Sequence, residues 1–212
     1  MTATTAERIA DAALRRFNHQ GYASTTLSEI AADVGISQGN LTYHFPTKLD
    51  LALHLSERVR VRTEARSATR SVGDIADDYV EHLRFSMEIS WNYRFLMRDR
   101  GIFEDADAIV PPSPILVAAL EERHQLVARI GEAGLFRTDA EVDLDMLARS
   151  LWILSRYWME HLREMEQRDV IEWADVERGI QHHFSVLLPT MTAAGKRRFL
   201  AALARSAASP VI

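Results

Sequence analysis

Apolar residues recur every three or four positions along nearly the whole chain. In "ERIADAALRRF" the set is Ile9, Ala12, Ala13, Leu14 and Phe17; in "WADVERGIQHHFSVLL" it is Val176, Ile180, Phe184 and Leu187. That spacing lines one face of a helix, whereas a strand would alternate. No Asn-Gly or Asp-Gly pair marks a hairpin. Punctuation falls at Gly21, at 35–37, 45–48, 71–74, 110–114 and 134–139, and near Asp169 and Pro189. The pattern predicts an all-α chain of about ten helices.

The first fifty residues hold short helices. One helix over the "ERIADAALRRF" stretch should stop at Gly21, which suits a left-handed cap. Thr26 and Glu29 have capping-box spacing and open a second helix, from Leu27 to about Val34, that Gly35 ends. Ser37 caps a third, running to about His44 after a three-residue turn. Two short helices joined this way form a helix-turn-helix. At about 100° per residue, Leu41 and Phe45 define the buried face of the third helix. Gly39 and Tyr43 then point away, Asn40 lies on the outer flank, Thr42 near the boundary and Gln38 in the first turn.

A glycine inside a helix costs about 1 kcal/mol relative to alanine, so the fold has no need of Gly39. A short, polar, bulk-free outer face fits a DNA major groove, where Gln and Asn pair with adenine, a threonine methyl meets thymine's and glycine lets the backbone approach. A solvated polar face accounts for any one of these residues taken singly. The ordered set, with Tyr43, His44 and Lys48 following where phosphates would run, points to DNA.

Composition narrows the alternatives. At 212 residues, 47% hydrophobic and 26% charged, the chain can hold one sizeable core or two unequal domains. It has no cysteine, which excludes disulfides, thiolate zinc sites and a cysteine nucleophile. The N-terminus shows no secretory pattern and no run of eighteen apolar residues occurs, so a soluble, cytoplasmic protein with no membrane association is expected. The net charge of −5 and pI near 5.9 confine any DNA contact to a local surface. Up to residue 55 the balance is itself acidic; Arg58, Arg60, Arg62, Arg66 and Arg70 on the next helix partly compensate, as DNA contacts or as a solvated face. Walker, dinucleotide, serine-elbow and H-E-x-x-H signatures are lacking. His182 and His183 are adjacent on a helix and diverge, so no enzyme activity, cofactor or metal is expected.

The stretch "TTLSEIAADVGISQGNLTYHFPTKLDL", within residues 5–55, resembles the tetracycline-repressor-like (TetR) transcriptional regulators. The resemblance implies a helix-turn-helix DNA-binding domain over 1–48, joined by a long helix from Lys48 to about Ser71 to a helical ligand-binding and dimerisation domain over 49–212. It implies a homodimer on a palindromic operator in double-stranded DNA, and a repressor released by a small-molecule effector. By that resemblance Thr26, Tyr43, His44 and Lys48 hold phosphates, Gln38, Gly39, Asn40 and Thr42 face bases, and Ser37 belongs to the same site. The position after Leu41 is usually tyrosine in the family and is Thr42 here, which shifts the phosphate role toward Tyr43.

The second half is less specific. Residues 143–165 are apolar nearly all round, and with 173–188 they match in order the family's dimerising helix pair; intrachain core and dimerisation both fit. Aromatic side chains with polar tips suit an apolar or aromatic effector. Trp91, Phe95, Trp152, Tyr157 and His161 are the candidates, with Phe103 and His124 nearby in the set. The rival reading is a helical ligand-binding or partner-binding module without DNA recognition, its first fifty residues serving only to pack.

Overall fold

The computed structural model describes residues 3–69, 73–98, 114–139 and 141–207. Among them are ten α-helices, a 3₁₀ turn at Leu188–Thr190 and no strand beyond one isolated bridge between Phe136 and Met191. The chain forms two compact units, one of residues 1–70 and 92–110, the other of 71–91 and 111–212. The expected division at 48/49 would leave the long helix in the larger domain, whereas the first unit takes it in, together with a short later helix.

The first unit contains α1 (Thr5–Gln20), α2 (Leu27–Val34), α3 (Gln38–His44), α4 (Lys48–Thr69) and α6 (Arg94–Arg98). Capping boxes open α1 and α2: Thr4 with Glu7, and Thr26 with Glu29. Each is worth about 1 kcal/mol, which matters for helices too short to stand alone. Gly35 ends α2 in the left-handed conformation (φ 73°), and the Ile36 amide donates to the Ala31 carbonyl. A three-residue turn thus reverses the chain between α2 and α3. Ile9, Phe17, Ile30, Leu41, Leu51 and Leu55 are fully buried and form its apolar interior. Arg16 fixes α1 to α2 through a two-point contact with Asp33 (2.6 and 2.8 Å). From α6, Phe95 packs on Phe17 with ring centroids 5.1 Å apart. The Asn18 side chain donates to the Asn92 carbonyl and accepts from the Phe95 amide, and Arg98 donates to the Phe17 carbonyl (2.6 Å).

The second unit contains α5 (Ile75–Asn92, whose last residue lies in the first unit), α7 (Pro114–Glu132), α8 (Leu144–Glu164), α9 (Trp173–Leu187) and α10 (Ala193–Ala207). α7 packs on α8 and α8 on α9. The core draws on Tyr79, Leu83 and Met87 of α5, Leu126, Val127 and Ile130 of α7, Leu151, Trp158 and Leu162 of α8, and Ile180, Phe184 and Leu187 of α9. The Trp158 ring lies against Gly179, where a Cβ would come within 2.6 Å of its Cδ1 and Nε1, and its indole N–H donates to the Asp175 carbonyl.

One open reading narrows here. Phe184 and Leu187, which fitted intrachain core and dimerisation alike, are 3% and 0% exposed and belong to the intrachain core. Their spacing identifies a buried face without saying whose helices bury it. The outward positions are others: Ile153 and Tyr157 on α8 and Val186 on α9 are 48%, 41% and 39% exposed.

Candidate DNA-contacting site

Ser37 caps α3 by accepting from the Asn40 amide (3.1 Å), and Leu41 is fully buried, which fixes the rotation of this seven-residue helix. Leu41 and Phe45 face inward as expected. Thr26, Ser37, Gln38, Gly39, Asn40 and Tyr43 are exposed, while Thr42, His44 and Lys48 are half-buried. Tyr43 is 83% exposed, an unusual position for a large aromatic side chain, and its ring meets His44 edge-on at 5.4 Å. The Thr42 hydroxyl donates to the Gly39 carbonyl (3.1 Å).

Gly39 has no internal reason to be glycine. A Cβ built there meets only the Ser37 hydroxyl, at 3.9 Å, and its φ is not in the left-handed range. The empty volume in front of it is therefore available to something outside the chain.

The charged groups around the site are largely engaged with one another. Arg16 pairs with Asp33 and Glu29, Arg58 with Asp11 (2.6 Å), and Arg60 with Glu57 and Glu64. The bonds from the Thr26 amide and hydroxyl hold the Glu29 carboxyl below its ordinary range, and the Arg16 guanidinium does the same for Asp33. These pairs orient helices and leave little unbalanced positive charge. Arg70, last of the arginine run, lies outside the described residues.

Lys48 differs from its expected role. Its ammonium donates to the carbonyls of Tyr22 (2.7 Å), Ala23 (3.1 Å) and Thr25 (2.9 Å), and sits 4.4 Å from the centre of the Tyr22 ring. All three donors are spent on the turn that precedes α2, so in this state Lys48 clips that turn. Nothing in the sequence pattern announced this, because the partners are backbone atoms some 25 residues away.

The five effector candidates are divided between the units. Phe95 is fully buried in the first unit against Phe17, and the other four belong to the second. Trp91 packs on the core of the second unit, and Trp152 meets Tyr157 edge-on at 6.5 Å. Tyr157 and His161 are exposed on α8, His161 stacking on Trp158. His124 lies 3.0 Å from Asp145, and Phe103 falls outside the described residues. What sequence reasoning missed in this unit is a buried polar group formed by Tyr79, Arg123, Ser155 and His183. A signal existed: Arg123 occupies a position in the apolar register of Leu126, Val127 and Ile130.

Residues 54–199 match a family described as bacterial transcriptional repressor (TetR), and residues 2–55 match the bacterial regulatory proteins of the tetR family. The chain belongs to the TetR family. It is a DNA-binding transcriptional regulator, and α2 and α3 are its helix-turn-helix. The regulator CymR of Pseudomonas putida is 28% identical over 173 residues, covering 72% of this chain and 82% of its own length. The regulator AcrR of Shigella flexneri is 47% identical over 47 residues, a match spanning only 22% of either protein. Among solved structures, a TetR-family regulator from Marinobacter aquaeolei superposes with a TM-score of 0.73 at 23% identity, covering 96% of this chain and 98% of that one. The TetR fold is thus shared along nearly the whole length. No described helix is long and apolar enough to cross a membrane.

Proposed function

We propose that the chain is a homodimeric cytoplasmic repressor that reads a near-palindromic operator with α3 and leaves it when a small molecule binds the second unit. The observation that carries the DNA reading is the outer face of α3: Gly39 fronts open space, with Gln38, Asn40 and Thr42 beside it and Tyr43 held out in solvent. Gln38, Asn40 and Thr42 read base edges, Gly39 admits the backbone, and Thr26, Ser37, Tyr43 and His44 position phosphates. Lys48 acts chiefly by holding the Tyr22–Thr25 turn. Among structures of similar fold, CprB from Streptomyces coelicolor has been solved with its operator sequence (TM-score 0.59, 24% identity), which supports the reading by analogy of fold.

Two-fold symmetry of the operator calls for a two-fold protein. We assign the partner-facing stripe to the outward residues Ile153, Tyr157 and His161 of α8 and Val186 of α9, in place of Phe184 and Leu187. Tyr157 and His161 thereby leave the effector site, to which Trp91 on the core side still contributes. The covalent path for the signal is α5, which belongs to the second unit up to Trp91 and ends at Asn92, whose carbonyl is held by Asn18 of α1. An effector shifts DNA affinity only through different affinities for two arrangements, and a coupling of about 1–3 kcal/mol weakens operator binding roughly 5- to 150-fold. The test is selection of a binding site from random duplexes by the purified chain, followed by footprinting. Two related half-sites support the reading, and salt-sensitive binding without sequence preference contradicts it.

A further inference from the structure

The second unit buries a positive charge that no carboxylate of the described residues neutralises. Arg123 of α7 is 2% exposed, and its Nε and Nη1 have no hydrogen-bond partner among the described residues. Its guanidinium lies 5.1 Å from the centre of the Tyr79 ring, and no carboxylate of the described residues pairs with it. Five of the unit's buried or partly buried carboxylates are committed elsewhere: Asp78 to Arg129 (2.8 Å), Glu177 to Arg84 (2.6 Å), Asp175 to Arg178 (3.3 Å), Glu122 to His82 (3.2 Å) and Glu160 to Arg163 (2.9 Å). Buried arginines are ordinarily paired, because an ion removed from water without a counter-charge is strongly disfavoured.

The groups beside Arg123 form a neutral chain with fixed proton positions. The Ser155 hydroxyl donates to the Leu151 carbonyl (3.0 Å), so toward His183 Nδ1, 2.9 Å away, it can only accept. His183 therefore carries its proton on Nδ1, and its Nε2 accepts from the Tyr79 hydroxyl at 2.7 Å. Burial, then the nearby Arg123 and His82, hold His183 well below its ordinary range, so it stays uncharged. No described residue supplies a negative charge here, Phe199 packs on the Tyr79 ring, and the core of this unit, Leu83 and Met87 included, is apolar.

We infer that Arg123 anchors the effector site of the second unit, and that the effector is a small monocarboxylate with an apolar body. One guanidinium matches one negative charge, and its planar fork suits a carboxylate. A phosphate dianion would leave a buried excess of negative charge. The apolar neighbours would hold the remainder of the molecule. The inference deepens the effector reading given above and rests on it.

The test uses the full chain and Arg123→Met, followed by thermal unfolding at constant ionic strength. An arginine left without a counter-ion destabilises the free protein, so Arg123→Met should melt higher, by roughly 2–10 °C. Sodium benzoate and sodium octanoate, raised to millimolar levels, should stabilise the wild type in a saturable way and leave Arg123→Met unmoved. Benzamide and octanamide should have no effect on either, and benzyl phosphate should stabilise less than benzoate. Three results overturn the inference. The first is an Arg123→Met that melts lower than the wild type in the absence of carboxylate. The second is a wild type unmoved by both carboxylates, whatever the variant does. The third concerns Glu104, Asp105 and Asp107, which lie outside the described residues: if neutralising them together shifts the melting temperature non-additively with Arg123→Met, the counter-ion belongs to the chain. DNA binding is read separately without carboxylate, so its failure sinks the repressor reading and leaves the anion result standing.

Discussion

Gly39 and Gly179 both stand within helices, in opposite surroundings. Gly179 of α9 is hemmed in, since a Cβ there would lie 2.5 Å from Trp158 Cδ1 and 2.8 Å from Met87 Cε. Gly39 of α3 faces open space, with only the Ser37 hydroxyl within 4 Å of the same construction. Both helices forgo the same backbone stability. In α9 the return is visible inside the chain as close packing. In α3 no such return is visible, and the proposed reading assigns it to DNA. Structure thereby separates a glycine with a packing role from one without, which a residue type alone cannot do.

The comparison can be broken first at the surfaces that each helix presents. Ile153→Glu with Val186→Glu alters exposed positions, so the fold should persist while light scattering reports a monomer. Losing the linked second half-site should then cost roughly 10²- to 10⁴-fold in affinity for the palindrome. Phe184→Glu instead places a charge in the core and should abolish cooperative unfolding. A dimer that survives the double variant would move the interface elsewhere.

Gly179→Ala tests the packed side directly. Trp158 and Met87 must shift to admit the methyl group, and urea unfolding should show a loss of roughly 1–3 kcal/mol. Lys48→Ala releases the Tyr22–Thr25 carbonyls and should cost roughly 1–2 kcal/mol by the same assay. Since it loosens the entry to α2 and removes a charge, gel shifts should weaken on all sequences alike. Loss of preference at a single base pair would place Lys48 against a base instead.

His183 gives a pH test. Its folded pKa lies well below the ordinary value near 6.5, so below that pH the unfolded chain binds a proton that the native state refuses. Stability should therefore fall as pH drops from about 6.5 toward the folded value, by at most about 1.4 kcal/mol per unit. His183→Gln should show a shallower slope in that window. Equal slopes would mean that His183 titrates normally. The smallest effect belongs to the open side: Gly39→Ala should leave stability unchanged or raise it by a few tenths to 1 kcal/mol.

Much of the first unit was legible because its determinants are local. Thr26 and Glu29 are three residues apart, Gly35 ends α2 as expected, and Leu41 with Phe45 sets the rotation of α3, although Gly21, expected as a left-handed cap, closes α1 at φ 92° and ψ 155°, outside that region. Lys48 escaped because its partners are backbone carbonyls at 22–25, for which sequence has no pattern. The second unit was legible as helices and opaque as a site. Tyr79 and His183 are 104 residues apart, and Ser155 is 28 from His183. Helical periodicity marks each as buried without telling which ones meet. For the same reason Phe184 and Leu187 read equally well as interface and as core, and Phe95 was grouped with aromatics of the other unit.

The central claim is that the empty volume before Gly39 is filled by DNA. Its most direct measurement is quantitative footprinting of Gly39→Phe against wild type on a site selected by the wild type, with melting temperature read in parallel. The account predicts an unchanged melting temperature and a loss of specific affinity of at least about a hundredfold, as expected when a bulky side chain blocks close backbone approach in the groove. A variant that protects the same site with wild-type affinity would contradict it, and α3 would not be the reader.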